Sequence, residues 1–587
     1  MTHSQAGKLV LVAAAATLVA VVGCSLTQQA LPPDAGSSCA TSLTPAEFNT
    51  WFESGAVSLN GAVRPANSVL FPDTPNCSFY KWSEQMFLWL TSPAPPRYGG
   101  GGGLVMNTPA FFDVSLPDAS GQRHFVPHTS GLIRAFNLRT AQRGTLDLPV
   151  VIERKTLRLL EVIPPVVSPT GKQVVSDKDG NEVEIGSVRF TQENAPVLLD
   201  VGGKEIQGPR ALLRSKNDAE PRNFEKKLAR FDNFDRSELV QKIVFDKRVV
   251  LLDLFGHFTE TEQGQADGGV LMAQNGSLVY YSLVVNNVFA LYRTMQGATV
   301  PAGTKFPVTQ PQLDAIIAFA AASGQPPVID SEALAVEIKA SWVEAAGLVD
   351  ADKFIQMKAI VPKYDKVTNP DDWVPMGTQT VTLAMVGIHV VGSTGSTNPS
   401  NPNGGHPEML WATFEHVSNG PAAQYNYVKK TPPGGSGMVP QDTTGTWVFC
   451  ANGAGAPFNE KHMEMGGPAP FDHIVASPPF LIGPSNILRT MPWGLNGSSS
   501  TGNAEVISIN NTVRSLLDPA DLRRNYFHEG TTWTIFGGSP GAGNQVGTNK
   551  LENTTMETFS QGANCFSCHA TNTTSVSHVF NETSPLF

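Results

Sequence analysis

A chain of 587 residues that is 41% hydrophobic and only 16% charged can bury an ample core and is too apolar to be a disordered chain. Its formal charge of −10, with no basic stripe, argues against nucleic acid as a partner. The 54 glycines and 44 prolines demand many turns, which predicts an α+β, β-rich fold.

The N-terminus carries an export signal. Lys8 precedes an apolar run, Leu9 to Val22, too short for a comfortable membrane span and suited to a signal sequence. The run ends in Val21-Val22-Gly23-Cys24, which is similar to a bacterial lipobox. That likeness implies acylation of Cys24 and a membrane held by lipid anchor, with Ser25 in the second position implying the outer membrane. The rival is an ordinary signal peptide that removes Cys24. Residues 1–24 are thus expected as signal, 25–43 as a tether (flexible by composition over 26–38), 44–305 as a β-rich domain and 306–587 as an α+β region.

Thr44-Pro45-Ala46-Glu47 is a capping box with proline at the first helical position, predicting a short helix that stops by Gly55. Phe79, Trp82, Met86 and Trp89 recur at helical spacing and predict a core helix from Cys77 to Leu90. The glycine run 99–103 lacks the Lys-Ser/Thr of a nucleotide loop. Residues 104–295 read mainly as strands, with hairpin turns at Asp177–Gly180 and Asn275-Gly276; the former lacks the spacing of a calcium loop. His124 and His128 would share zinc only on a helix, which Val126-Pro127 opposes.

Thr309 to Ala322 is expected as a helix with Leu313, Ile316 and Ile317 inward, and residues 334–342 alternate as a half-buried strand. Residues 378–392 are apolar on both faces, the mark of a central strand; 410–417 fit helix or strand by pattern, and their length, aromatics and flanking His406-Pro407 and Asn419-Gly420-Pro421 favour strand. Cys450, His462 and Met465 have the residue types of a blue-copper site without its tight loop. Val506, Ile509, Val513, Leu516 and Leu517 mark an amphipathic helix. Gly537-Gly538-Ser539-Pro540-Gly541 fits a nucleophile elbow in letters, but no helix follows it. Thr554 to Phe559 is expected as a helical turn.

Close to the end stands Cys565-Phe566-Ser567-Cys568-His569. In c-type haem attachment two thiols add to the haem vinyl groups and the following histidine ligates the iron. A zinc knuckle needs a second ligand pair, and no other CxxC or CxxH occurs. A redox dithiol should open a helix after a strand. Cys565, Cys568 and His569 are therefore expected to hold one covalent haem c, in a large globular body with a C-terminal haem-attachment segment. Only residues 570–587 follow, so earlier chain must supply the cover. Export and haem attachment agree on one compartment.

The stretches Gln85–Thr91, Val386–Val390, Trp411–His416 and Asn553–Phe559 ahead of the CxxCH resemble segments of loosely characterised bacterial cytochrome-c-like proteins. That resemblance implies a periplasmic haem protein and no particular activity.

The remaining cysteines are Cys39, Cys77 and Cys450. An oxidising compartment favours a disulfide, and Cys39–Cys77 is the closest pair in sequence, leaving Cys450 buried. Opposite His569, His389 is the first candidate for the iron. An imidazole in a strand apolar on both faces is costly unless iron or a hydrogen bond satisfies it. A core histidine bonded to a carboxylate or backbone is the competing account. His578, Met463, Met465 and Met556 are further options. The leading expectation is single-electron transfer to an unknown redox partner protein. The alternatives are a peroxidase-like haem enzyme with an open distal face, and an envelope binding protein with an accessory haem.

Overall fold

The computed structural model describes residues 25–587 except 33–36, 100–102, 116–121, 129–131, 135–145, 147, 149, 154–158, 192–195, 217, 219, 231–233, 246–247, 260, 263–268, 302, 430–434, 467–472, 478–479, 495–500, 542, 552, 560, 563–564, 570–576, 578 and 581–582. Cys24 and His578 lie outside the described residues. The fold is α+β and β-rich.

Helix α1 (Pro45–Trp51) starts where Thr44 accepts the Glu47 N–H. It stops at Phe52, which bridges to Val63, before reaching Gly55. Helix α2 (Cys77–Leu90) has twelve of fourteen residues buried and stacks Phe79 on Trp533 at 3.9 Å and Phe87 on Phe414 at 4.4 Å. Cys39 and Cys77 are bridged, with Cα atoms 5.4 Å apart, pinning the start of α2 to the N-terminal segment.

The helix lies on a largely antiparallel sheet that draws on strands from both halves of the chain. Its central strands are β1 (Phe111–Val114), β2 (Tyr280–Asn286), β3 (Val336–Glu344), the long β5 (Asp372–Gly395), β6 (Gly405–His416), β7 (Tyr526–Thr534) and β8 (Gln545–Gly547), paired in that order. A further strand, β4 (Gln356–Asp365), pairs with the first half of β5. Thirteen strands join this sheet among the described residues. Helices α3 (Asn287–Met295) and α4 (Gln310–Ala322) pack on one face, and α5 (Thr501–Leu516) lies beside α2 on the other. Leu313 and Ile316 of α4 are buried while Ile317 is exposed, so its inward stripe is narrower than the spacing implied.

The expected boundary near residue 305 does not separate two bodies, because β1 and β2 pair into the same sheet as β3 to β8. The lobe that does have its own core lies between β1 and β2. A six-stranded sheet and a four-stranded sheet enclose Ile163, Val175, Leu198, Ile243 and Leu252. Both expected hairpins are present, with Gly180 and Gly276 at positive φ, where a side chain would be strained.

Residues 25–32 run hydrogen-bonded along the body where a free tether was expected. Thr27 N–H donates to Thr446 O at 2.7 Å, Gln29 N–H donates to Val417 O at 2.7 Å, and Tyr425 hydroxyl donates to Ala30 O at 3.1 Å. Polar composition suggested flexibility, but these groups find backbone partners on the body.

His416, at the end of β6, is buried against Phe354, ring to ring at 3.6 Å, and burial holds its pKa down from 6.5 to about 3. The unfolded chain thus binds a proton that the folded chain refuses between those values. Stability from this group is complete above pH 6.5 and is lost as pH falls toward 3, on the order of 5 kcal/mol in all. His416→Gln is expected to flatten that part of the acid-unfolding profile, read as denaturation midpoint against pH; an unchanged slope contradicts the assignment.

Candidate haem-attachment site

The motif sits on one face of the central sheet. Side chains alternate across a strand, so Trp411, Thr413 and Glu415 of β6 share a face with Gly387, His389 and Val391 of β5 and with Glu337, Lys339 and Ser341 of β3. Nearly everything on these strands is buried. Over residues 280–286, 336–343, 383–395, 405–416 and 526–534, the partly exposed positions are Leu283, Glu337, Lys339, His389 and Trp411. Register makes them neighbours: Leu283, Lys339 and His389 form one row across three strands, and Glu337 and Trp411 flank Val391 in the next.

The C-terminal segment borders this patch. Residues Cys565–Cys568 form a single helical turn, α6, and His569 N–H donates to Cys565 O at 2.8 Å, continuing the turn. Buried Phe566 anchors it, donating its N–H to Gln545 Oε1 at 3.1 Å. The His569 ring lies 4.3 Å from the Trp411 ring, and Phe566 meets the same indole edge-on at 6.5 Å. Downstream, Ser577 hydroxyl donates to Glu337. His569 and Phe566 thus seat the turn beside a partly exposed, mixed polar and aromatic patch on the sheet.

The segment 553–559 fixes the approach to the motif. Asn553 Nδ2 donates to Phe414 O at 3.1 Å, and Thr555 returns its N–H and hydroxyl to Asn553 Oδ1 at 3.0 and 2.6 Å. Tyr281 hydroxyl donates to Thr555 O at 2.6 Å. Gly387 lets this happen: a Cβ there would fall 2.6 Å from Asn553 Nδ2 and 2.8 Å from Ser341 Oγ. Thr554 gives both its N–H and its hydroxyl to Glu415. Glu415 is wholly buried and also pairs with Arg489 Nη2 at 2.6 Å, whose Nε meets Glu529. Burial, reinforced by the charge of Glu415, pushes Glu529 well above the usual carboxylate range.

Both ring nitrogens of His389 are engaged. Nε2 donates to Glu557 Oε1 at 3.1 Å, and Nδ1 meets the Thr413 hydroxyl. Glu557 also accepts the Asn553 N–H at 2.8 Å. Burial pushes its pKa up, but His389 and Lys339 beside it outweigh that and hold it below the ordinary value. The requirement that a histidine in a buried strand find a partner is met here by a carboxylate from the C-terminal segment. Sequence reasoning missed Glu557. The available signal was its place four residues after Asn553, on the turn that precedes the motif.

The other candidates are placed elsewhere. Met556 is buried with Val386, Val448 and Phe559, and Met463 lies in the core under β5. The Cys450 thiol donates to Asn486 Oδ1 at 3.2 Å, and burial with Asp442 nearby raises it to about 11; His462 stacks on Phe480 at 4.2 Å. His128 pairs with Asp113 at 2.8 Å. Residues 537–541 form a loop in which Ser539 O accepts from Asn544.

The donor set suits a covalently bound haem: two cysteines and a histidine on one turn, beside Trp411, with a partly exposed patch next to them. Among the described residues no three His, Cys, Asp or Glu converge as a metal-ligand group. No family model, curated protein or solved structure matches this chain.

Proposed function

We propose that the chain is a periplasm-facing, lipid-anchored monohaem c-type cytochrome, akin to the loosely characterised bacterial cytochrome-c-like proteins, that passes single electrons to a partner protein. The observation that carries this reading is the Cys565–His569 turn seated against Trp411 at the edge of the partly exposed patch. Cys565 and Cys568 would hold the haem as thioethers, and His569 would ligate its iron. The group supplies one-electron chemistry between ferric and ferrous iron. The protein's part is to hold the motif on a rigid sheet through Phe566, Asn553 and Glu415, so that little rearrangement accompanies electron transfer.

A second reading, a haem enzyme, draws on His389. With Nε2 donated to Glu557 and Nδ1 at Thr413, this imidazole offers no lone pair to iron, which favours an accessible position opposite His569. The two readings separate on the ferric spectrum: a low-spin form indifferent to cyanide supports the carrier, and a high-spin form that binds cyanide supports the enzyme.

Expression in a host with c-type maturation tests the shared premise. A band that stains for haem on a denaturing gel is expected from the native chain and none from the double variant Cys565→Ser, Cys568→Ser. Mass spectrometry showing both native thiols unmodified overturns the proposal.

A further inference from the structure

The docking of residues 26–32 fixes where a lipid on Cys24 would emerge. Leu26 N–H donates to Asp350 Oδ2 at 2.9 Å, and the Leu26 side chain packs on a cluster containing Leu271, Leu348 and Val448. Thr27 is locked from both sides: its N–H donates to Thr446 O, and its hydroxyl accepts the Thr446 N–H at 2.9 Å. Gly445 is pressed so closely that a Cβ there would lie 2.5 Å from Thr27 Oγ1. Only Ser25 separates this docked stretch from Cys24, and two residues span at most about 7 Å. A free linker of the length expected for 25–43 would instead roam over roughly 20 Å or more.

We propose that the surface formed by residues 346–352 and 442–446, where this stretch docks, lies against the lipid bilayer and sets the orientation of the molecule. The inference rests on acylation of Cys24. The bilayer is brought there by the reach of the chain and not by charge, since Asp350, Asp352 and Asp442 outnumber Lys353 on this surface. Gln29 docks on Val417, six residues along the chain from Trp411, so the Trp411 that borders the attachment turn lies roughly 20 Å from where residue 29 docks. Exposed Ile535, just past the far end of β7, is farther still, about 30 Å along that strand from Tyr526. The attachment turn is thereby presented toward the aqueous side, to a partner that comes from solution.

The test uses the full acylated chain in phosphatidylethanolamine–phosphatidylglycerol vesicles carrying an acceptor dye in the bilayer. A donor dye is placed on Val349→Cys or on Ile535→Cys, both exposed positions. Energy transfer from position 349 is expected to exceed that from 535 by about threefold or more. Inserting roughly 12 Gly/Ser residues between Ser25 and Leu26 should bring the two close to equality. Equal transfer from a chain whose Cys24 carries lipid by mass spectrometry overturns the orientation alone. An unmodified or absent Cys24 overturns the anchor reading and the orientation with it.

Discussion

Glu415→Gln is expected to destabilise the protein by about 3 kcal/mol, while Glu529→Gln costs less than about 1 kcal/mol, although both carboxyls face the same arginine. The asymmetry follows from what each carboxyl holds. Burial and the neighbouring Glu415 push the Glu529 carboxyl up, toward its neutral form, so an amide replaces it with little loss. Glu415 pairs with Arg489 Nη2 at 2.6 Å. It also accepts the Thr554 N–H, the Thr554 hydroxyl and the Asn419 amide, the last at 3.2 Å. An amide there has one acceptor oxygen for four donors and leaves the guanidinium uncompensated.

The pH behaviour separates the two as well. A carboxyl with a raised native pKa stabilises fully below its unfolded value of 4.5, and that contribution is lost as pH rises through the native value. Glu529→Gln should remove this loss, so its cost shrinks toward high pH. In Glu415→Gln, Glu529 becomes the only counter-charge and should ionise at lower pH than before. Denaturant midpoints of the three proteins across pH check both statements. Equal costs for the two variants would show that the two carboxyls serve Arg489 equivalently and would overturn the asymmetry.

The fold was partly legible because its central elements announce themselves locally. Helix α2 carries aromatics at helical spacing, and β5, expected to be apolar on both faces over 378–392, is buried on both over 383–388, whereas 378–382 run out to the surface and His389 is partly exposed. Asn275-Gly276 specifies its own turn. What sequence could not give is pairing between distant segments. Phe111 pairs with Asn286 across more than a hundred residues, and nothing local to either encodes that register. For the same reason the division was placed near 305, while the separate lobe lies between β1 and β2.

The site shows the same split. Cys565, Cys568 and His569 are named by spacing alone, whereas Trp411 and Glu557 join them only through the fold. His389 was legible as a histidine in need of a partner. Which partner it takes depends on where the segment 553–559 lands on the sheet.

That landing depends on one missing side chain. Gly387→Ala is expected to cost about 3 kcal/mol and to lower the fraction of chains carrying covalent haem. Small-to-large changes in a tight interior commonly cost 1–3 kcal/mol, and this one also breaks bonds. The new Cβ would stand 2.6 Å from Asn553 Nδ2 and 2.8 Å from Asn553 Oδ1. The strand cannot retreat, since Gly387 is paired to Ser341 on one side and Glu415 on the other. Asn553 must therefore move, and with it go its bond to Phe414 O, its two bonds from Thr555 and the Asn553 N–H that orients Glu557 toward His389.

A double-mutant cycle isolates this cause. Asn553→Ala alone loses the three side-chain bonds, keeps its N–H to Glu557 and clears the nearer obstacle to a Cβ at 387, leaving only Ser341 Oγ at 2.8 Å, so Gly387→Ala should cost clearly less in that background than in the native chain. Additive costs would place the strain in the strand itself and leave the segment 553–559 without its proposed role in seating the attachment turn. Limited proteolysis supplies the second readout: cleavage within 553–564 should quicken in Gly387→Ala while α2 and β5 stay protected. The strain is then confined to the segment that carries the cysteines, which is why haem loading falls more steeply than the stability of the body.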